Sequence, residues 1–397
     1  MAVSSLHRFL AVAAAALLGA SACSTPERLP AVPAASAMRT AQGLGPIRFL
    51  VSRETDSFAV EARSALAKEQ AWLSRGGAID HLPPAYFLAI SGGGDNGAYG
   101  AGFLNGWTAS GSRPEFKVVT GISTGALIAP FAFAGPKYDY VLQKVYTTTA
   151  QKDIFKKRGL KSLLFGDAMA DTRPLAAVIE SYVTPAFLNE LAAEYAKGRL
   201  LLVGTTNLDS LEPVIWNMTA IAASPDPRAA SLFRNILLAS ASIPGAFPPV
   251  MIDVNVDGAK YQEMHVDGGT IAQVFLYPPS VSAADAPKRE RVAYIIRNAR
   301  LDPDWASTKR RTMTIAMRAI DSLTRTQGIG DLYRIYSVTQ RDGVDFNLTF
   351  IPSSFTQPHN EQFGTSYMRA LYDVGFEAAK AGYAWQKHPP GFVAPVP

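Results

Sequence analysis

The chain has 397 residues, of which 48% are hydrophobic and 18% charged, and this supply of apolar side chains excludes a globally disordered protein. Its net charge of +5 at pH 7 is a small excess for this length and gives no argument for nucleic-acid binding. A single cysteine excludes an internal disulfide framework and a multi-cysteine zinc site, and with five histidines we expect no metal cluster.

The first 50 residues are predicted to be a secretion signal followed by a tether. Phe9–Leu18 is a continuous apolar run that is too short to span a bilayer but is typical of a signal peptide. Ala20-Ser21-Ala22-Cys23 combines an A-x-A cleavage site with a resemblance to a bacterial lipobox, although Ala20 stands where leucine is usual. We therefore expect a signal peptide at 1–22, a lipid anchor on Cys23 and a Pro/Ala-rich tether over 23–50. This predicts a protein of the bacterial cell envelope, in the periplasm or at the outer membrane; the alternative is a cytosolic chain with an alanine-rich first helix.

Beyond the tether, helix-like and strand-like stretches alternate without an internal repeat. In chain order the pattern predicts a helix at Phe58–Ser74, a strand at Tyr86–Ile90, a helix containing Phe103–Trp107, a strand at Lys117–Thr120, a buried helix within Gly121–Ala134, helices at Pro174–Tyr182 and Pro185–Lys197, strands at Leu200–Thr205, Val214–Asn217, Arg291–Arg297 and Phe346–Ile351, and a closing helix at Glu361–Trp385. Continuous apolar strands between helices favour a mostly parallel sheet covered on both faces, so we predict a three-layer α/β/α fold. We divide it into an N-terminal helical segment (51–85), a core (86–280) and a C-terminal part of the same domain (281–397).

The first candidate site is a glycine loop, Gly92–Gly97, which follows the strand at Tyr86–Ile90. Consecutive amides beside a helix N-terminus are typical of an anion site. The stretch also fits the G-x-G-x-x-G dinucleotide fingerprint, which needs an acidic residue about 20 residues further on. Glu115 stands at about that distance but follows Pro114 instead of ending a strand. On this motif alone, dinucleotide binding and oxyanion binding both stay open.

The second candidate site is the G-x-S-x-G motif at Gly121–Gly125, between the strand at Lys117–Thr120 and an apolar helix. This context is typical of a nucleophile elbow, in which the serine Oγ projects from a sharp strand-to-helix turn. Ser123 is therefore the predicted nucleophile; the alternative is an ordinary helix N-cap. A serine nucleophile needs a base within hydrogen-bond reach, and Asp267 in the later Asp267-Gly268-Gly269 segment could serve directly or could orient a histidine.

Taken together, these motifs resemble the patatin-like phospholipase family over roughly Leu88 to Tyr277. The family has a triple-glycine loop, G-x-S-x-G and a later D-G-G/A in this order, and the Ala239–Pro249 segment (ASASIPGAFPP) resembles a family segment upstream of the aspartate. The resemblance implies a patatin-like fold and acyl-ester hydrolysis of lipids without a metal or other cofactor. It implies a Ser123–Asp267 dyad, with the amides of Gly92, Gly93 and Gly94 as the oxyanion hole. Asn96 stands where many members carry arginine or lysine.

The same motifs also fit a hydrolase with a histidine base, and proteins that are not hydrolases. In an α/β-hydrolase the chain order is Ser, Asp, His, so His359 or His388 would have to supply the base. His265 lies two residues before Asp267 and is a further, less favoured candidate. In a nucleotide-binding α/β protein, Ser123 would be a helix cap, whereas a catalytically silent envelope lipoprotein would keep the motifs without turnover. For the favoured hydrolase, the expected partners are a lipid or acyl-ester substrate and a membrane surface, with no nucleic acid.

Overall fold

The computed structural model describes residues 27–39, 47–50, 55–76, 81–159, 167–282, 286–303, 305 and 307–393. The predicted signal peptide and the anchor residue Cys23 lie outside the described residues. Among the helices that are described, none is both long enough and apolar enough to cross a membrane.

The secondary structure alternates strands and helices through most of the chain. The strands are β1 (Arg48–Leu50), β2 (Ala85–Ile90), β3 (Val118–Ile122), β4 (Lys156–Lys157), β5 (Ala170–Asp171), β6 (Leu200–Asn207), β7 (Glu212–Asn217), β8 (Val250–Val256), β9 (Ala259–Asp267), β10 (Arg291–Arg297) and β11 (Asp345–Phe350). The α-helices are α1 (Thr55–Leu73), α2 (Gly97–Ala109), α3 (Thr124–Ala134), α4 (Asp139–Thr148), α5 (Gln151–Ile154), α6 (Arg173–Tyr182), α7 (Pro185–Ala196), α8 (Met218–Ala222), α9 (Ala229–Ser240), α10 (Thr312–Arg341) and α11 (Thr365–Lys380). Short 3-10 helices lie at Ala34–Arg39, Ser74–Gly76, Gly94–Asn96, Pro136–Tyr138 and Gly268–Thr270.

The central sheet has the strand order β1-β7-β6-β3-β2-β10-β11, with β9 added beside β6 and β8 beside β9. Its middle is parallel, because β6, β3, β2, β10 and β11 all run the same way. The remaining pairs, β1–β7, β6–β7, β6–β9 and β8–β9, are antiparallel. The predicted mostly parallel sheet is therefore confirmed, with antiparallel strands at one side.

Helices cover both faces of this sheet, as the continuous apolar strands predict. In β2, Leu88 and Ile90 enter the large core formed with α2, α3, α9 and α11. The alternate residue Ala89 enters a second core on the opposite face, with Leu332 and Ile335 of α10. Successive strand residues point to opposite faces, so the three-layer α/β/α arrangement follows directly from β2.

Three parts of the fold depart from the expectations. Residues 48–50, assigned to the tether, form β1 and pair with β7, so the tether prediction extends too far. The long helix α10 is not predicted, because Ile315, Ile320 and Leu323 in its first half are exposed and a regular buried stripe begins only near Leu332. The closing helix α11 is shorter than the predicted Glu361–Trp385.

The β8–β9 hairpin is also missing from the expectations, although its signal is in the sequence. Val250–Val256 alternates between buried and exposed residues, and Asp257-Gly258, a typical hairpin turn, follows it. This hairpin matters for the site because β9 ends at Asp267 and lies beside β6.

Candidate active site

Ser123 occupies a sharp turn where β3 passes into α3. Its backbone has φ 55° and ψ −126°, a left-handed conformation that is strained for a residue with a side chain. Such conformations cost on the order of 1–3 kcal/mol and persist where the surrounding structure enforces them. Here the Ser123 carbonyl accepts hydrogen bonds from the amides of Ala126 and Leu127 at 2.9 and 3.2 Å, which start the helix immediately after the serine.

The two glycines of the G-x-S-x-G motif allow this turn by close approach of backbone segments. A Cβ on Gly121 would lie 2.4 Å from the Gly125 carbonyl oxygen, and a Cβ on Gly125 would lie 2.2 Å from the Ile90 carbonyl oxygen. Both distances are well inside van der Waals contact, so neither position accepts a side chain without backbone movement. The motif is thus explained by the packing of α3 against the end of β2.

A second serine, Ser240, ties the elbow to the neighbouring strand β6. The Ser123 amide donates to Ser240 Oγ at 3.0 Å, and the Ser240 hydroxyl donates to the Gly204 carbonyl at 2.7 Å. Ser240 is fully buried at the end of α9. Because its hydroxyl both accepts and donates, it fixes the backbone of the candidate nucleophile.

Asp267 is brought to Ser123 by the pairing of β9 with β6, in which Asp267 lies opposite Thr205. Its amide donates to the Ser242 carbonyl at 2.9 Å, and its carboxylate accepts from the Gly269 amide at 2.7 Å. Burial raises the pKa of Asp267 to about 7, and hydrogen bonds from the Ser123 side chain and the Gly269 amide offset part of that shift. The result is a buried carboxyl that interacts with the Ser123 hydroxyl and has a pKa near neutrality.

The glycine loop passes directly beside Ser123. A Cβ on Gly92 would lie 3.2 Å from Ser123 Cβ. Gly93 and Gly94 have φ values of 155° and 58°, and a Cβ on Gly93 would lie 2.1 Å from the Asn298 carbonyl oxygen, which explains the need for glycine there.

The three predicted oxyanion donors are not equivalent in this structure. The Gly92 amide already donates to the Gln273 carbonyl at 3.0 Å, so it is not available as it stands. Among the residues that the structure describes, the amides of Gly93 and Gly94 donate to no other group. Because the segment after Asp267 occupies the amide of Gly92, only the amides of Gly93 and Gly94 are left for the predicted oxyanion hole, which stays a prediction.

The histidines considered for a triad have other neighbours. The ring of His265 is fully buried and hydrogen-bonds Thr205 Oγ1 and Glu263 Oε2 at 3.0 and 3.2 Å, and burial lowers its pKa. His359 Nε2 hydrogen-bonds Asp95 at 2.7 Å, and His388 Nδ1 lies 3.1 Å from the Tyr336 hydroxyl.

An apolar cavity opens at Ser123 and Gly94. It runs along α3 and is closed by α4, α6 and α9, and apart from a few hydroxyl groups its wall consists of aliphatic and aromatic side chains. These include Leu127, Phe131, Leu142, Ile154, Leu175 and Phe247. An acyl chain is the kind of ligand that such a wall accommodates.

The geometry also bears on the dinucleotide interpretation of the glycine loop. Glu115 precedes β3, whereas the loop follows β2, and the two strands are parallel. The acid and the loop therefore lie at opposite ends of the sheet, and the exposed Glu115 carboxylate faces Arg199 at 3.7 Å. Nor does the described part of the chain bring three or more His, Cys, Asp or Glu side chains together as metal ligands.

Sequence patterns brought out Ser123, Asp267 and the glycine loop, and the structure places them together. They did not reveal the roles of Ser240 and Gln273. The one signal for Ser240 is its place in the Ala239–Pro249 segment. That segment resembles a family segment but does not by itself indicate a contact with Ser123. Gln273 had no signal, because its backbone carbonyl is the group that contacts the loop.

Comparisons with known proteins agree with these motifs. A family model for patatin-like phospholipase matches residues 88–278. No curated protein matches the chain.

Solved structures similar to the chain include VipD from Legionella pneumophila, at 13% identity and a TM-score of 0.32, covering 77% of this chain and 68% of VipD. They also include the full-length SpcU complex with full-length ExoU from the type III secretion system of Pseudomonas aeruginosa, at 13% identity and a TM-score of 0.34, covering 75% of this chain and 52% of the matched one. A third is human GIVD cytosolic phospholipase A2, at 11% identity and a TM-score of 0.30, covering 70% of this chain and 51% of that one. The chain thus spans about half the length of the second and third of these.

The matched region begins within β2, which leads into the glycine loop, and it contains the elbow and the D-G-G segment. The match supports a lipid acyl hydrolase. With these motifs inside them, residues 88–278 form a patatin-like phospholipase domain.

Proposed function

We propose that the chain is a carboxylic ester hydrolase, a phospholipase A or lipid acyl esterase, with Ser123 as nucleophile and Asp267 as its base. The observation that carries the proposal is a strained serine elbow in contact with a buried carboxyl. The elbow also opens onto an apolar cavity. A serine hydroxyl is inert at its free pKa and becomes nucleophilic when an adjacent base accepts its proton.

In the proposed reaction, ionised Asp267 takes the Ser123 hydroxyl proton as Oγ attacks the acyl carbonyl carbon. The amides of Gly93 and Gly94 donate to the resulting oxyanion, and each well-placed donor of this type contributes about 2.7–4 kcal/mol of barrier lowering. The tetrahedral intermediate collapses when the alcohol leaves with the proton held by Asp267. Water then loses a proton to Asp267, attacks the acyl-enzyme and releases the fatty acid, and Ser123 regains its proton.

A Ser–His–Asp triad is the second candidate mechanism, and the contacts of the histidines disfavour it. His265 is enclosed between Thr205 and Glu263, and the His359 ring is bound to Asp95 instead of Asp267. Alanine substitutions at His265, His359 and His388 should each leave most of the activity if the dyad is correct. A loss at one histidine as severe as that at Ser123 would establish the triad instead.

We also propose that the mature protein begins at a lipidated Cys23 and resides in the bacterial cell envelope. The support is the short apolar run at Phe9–Leu18 and the cleavage motif Ala20–Cys23. Mass spectrometry of the protein from its native membrane should find an N-terminal Cys23 carrying acyl chains. Retention of residues 1–22 would contradict secretion, whereas an unmodified Cys23 would contradict the anchor alone.

The direct test of the function is ester hydrolysis by matched variants. Ser123→Ala should abolish hydrolysis of a lipid acyl ester, and Asp267→Asn should reduce turnover by several orders of magnitude. Ser112→Ala changes an exposed serine in the loop between α2 and β3 and serves as the control. Full activity in a folded Ser123→Ala protein would rule out the assignment.

A further inference from the structure

A second cavity meets the glycine loop from a different direction. Gly94 and Ser123 line the apolar cavity, whereas Gly92 and Gly93 line the second, which has a volume of about 640 Å³. The wall of the second cavity is polar and carries three arginines, Arg297, Arg300 and Arg325, against two aspartates, Asp302 and Asp321. The loop proposed to bind the oxyanion therefore borders an apolar cavity and a cationic one.

Arg297 is an unusual residue in this wall. It ends β10, is only 2% exposed, and its guanidinium lies against the backbone of α10, where a Cβ on Gly328 would fall 2.2 Å from Nη1. Within the described residues, Arg297 Nε and Nη1 have no hydrogen-bond partner, and the same holds for Nε of Arg325. Buried charged donors are normally paired, because leaving them unpaired costs their full desolvation.

Among the described residues, no side chain accepts from these three nitrogens, although Arg325 Nη2 donates to the Leu301 carbonyl at 2.6 Å. Asp331 is the acidic group that most favours the charged guanidinium of Arg297, but its oxygens accept from the Gln273 amide and from Arg334. Burial lowers the pKa of Arg297 to about 10, so the side chain remains a cation at neutral pH. By contrast, Arg300 in the same wall is paired with Asp302. An external anion is the group that would complete the bonding of Arg297 and Arg325.

We propose that this cavity binds the phosphate of the substrate's alcohol portion through Arg297 and Arg325. The inference rests on the proposed function and specifies its substrate as an acyl ester that carries a phosphate. The planar guanidinium presents paired donors that match phosphate oxygens. With the acyl chain in the apolar cavity and the phosphate in the cationic one, the ester lies at the glycine loop beside Ser123.

Asn96 gives the wall of this cavity a neutral polar group. Asn96 Oδ1 accepts a hydrogen bond from the Tyr367 hydroxyl at 2.7 Å and lines the same cavity. In this chain the positive charge comes from β10 and α10 instead of from the glycine loop itself.

The test compares two monomeric substrates with the same acyl chain, a 1-acylglycerol 3-phosphate and the neutral 1-acylglycerol. Arg297→Gln should lower kcat/KM for the phosphate substrate about 10-fold to 100-fold, mainly through KM, and leave the neutral substrate within about twofold. Arg325→Gln should have a smaller effect in the same direction. Arg310→Gln removes an exposed charge just before α10 and is the control for a general charge effect. Equal losses on both substrates, or no loss on either, would overturn the proposal.

Inorganic phosphate provides a second readout that does not depend on activity. It should raise the thermal unfolding temperature of the wild-type protein but not that of Arg297→Gln, and Arg297→Lys, which keeps the charge without the paired donors, should be intermediate. No shift in the wild-type protein would overturn the site. A phosphate-dependent shift combined with unchanged substrate preference would identify a free-phosphate site and overturn the headgroup assignment. If neither substrate is hydrolysed in a Ser123-dependent manner, the proposed function fails while the phosphate measurement still decides the site.

Discussion

Replacing Asp267 with asparagine should reduce turnover by several orders of magnitude and should make the protein more stable at alkaline pH. The folded chain raises the pKa of this buried carboxyl from 3.8 to about 7. Between these two values the folded chain holds a proton that the unfolded chain has released, so the wild-type free energy of unfolding falls as the pH rises. Three pKa units correspond to roughly 4 kcal/mol. Asparagine stays neutral throughout and can still accept the Gly269 amide hydrogen bond.

The assay is urea unfolding of the wild-type and Asp267→Asn proteins at intervals from pH 4 to pH 8. The stability difference should move in favour of the variant by roughly 4 kcal/mol across this range, with most of the change complete by about pH 7. Asp253→Asn, an exposed aspartate on β8, is the matched control and should show no such trend. A difference that does not vary with pH, or a variant that loses stability as the pH rises, would refute the account of a buried carboxyl held near neutrality.

Three further predictions concern the same site. The kcat/KM of the wild-type enzyme should rise with pH through a single ionisation near pH 7, because Asp267 must be ionised to accept the serine proton; a flat profile from pH 5 to pH 9 would argue against this base. Ser240→Ala should lower the free energy of unfolding by about 1–3 kcal/mol and reduce kcat, because it leaves the buried Ser123 amide without its acceptor. Ser231→Ala changes an exposed serine on the same helix and should have neither effect. Phe131 lies in the cavity wall about 12 Å along α3 from Ser123. Phe131→Ala should lengthen the cavity there and shift the preferred acyl chain to greater length. An unchanged chain-length profile would show that the acyl group lies elsewhere.

The nucleophile and its elbow could be predicted from the sequence because they depend on local geometry. Gly121 and Gly125 are required by backbone contacts within one strand-turn-helix unit, and that requirement is visible as a short motif. The parallel sheet was predictable for a similar reason. Its central strands are buried on both faces and read as continuous apolar runs.

The rest of the site depends on contacts between distant parts of the chain. Asp267 meets Ser123 only because the β8–β9 hairpin adds to β6, and the use of the Gly92 amide by Gln273 follows from the path of the chain after β9. The environment of Arg297 depends on α10, whose first half lacks the regular buried stripe that would indicate a helix in the sequence. No local pattern carries this information, because pairing register and burial are set by the whole fold.

Labelling with a fluorophosphonate, followed by mass mapping of the adduct, tests the central claim most directly. Such a probe reacts only with a serine that a neighbouring base has activated. The account predicts one adduct, on Ser123, in the wild-type protein, strongly slowed labelling in Asp267→Asn, and none at that position in Ser123→Ala. No adduct in the folded wild-type protein, or an adduct on a different serine, would contradict it.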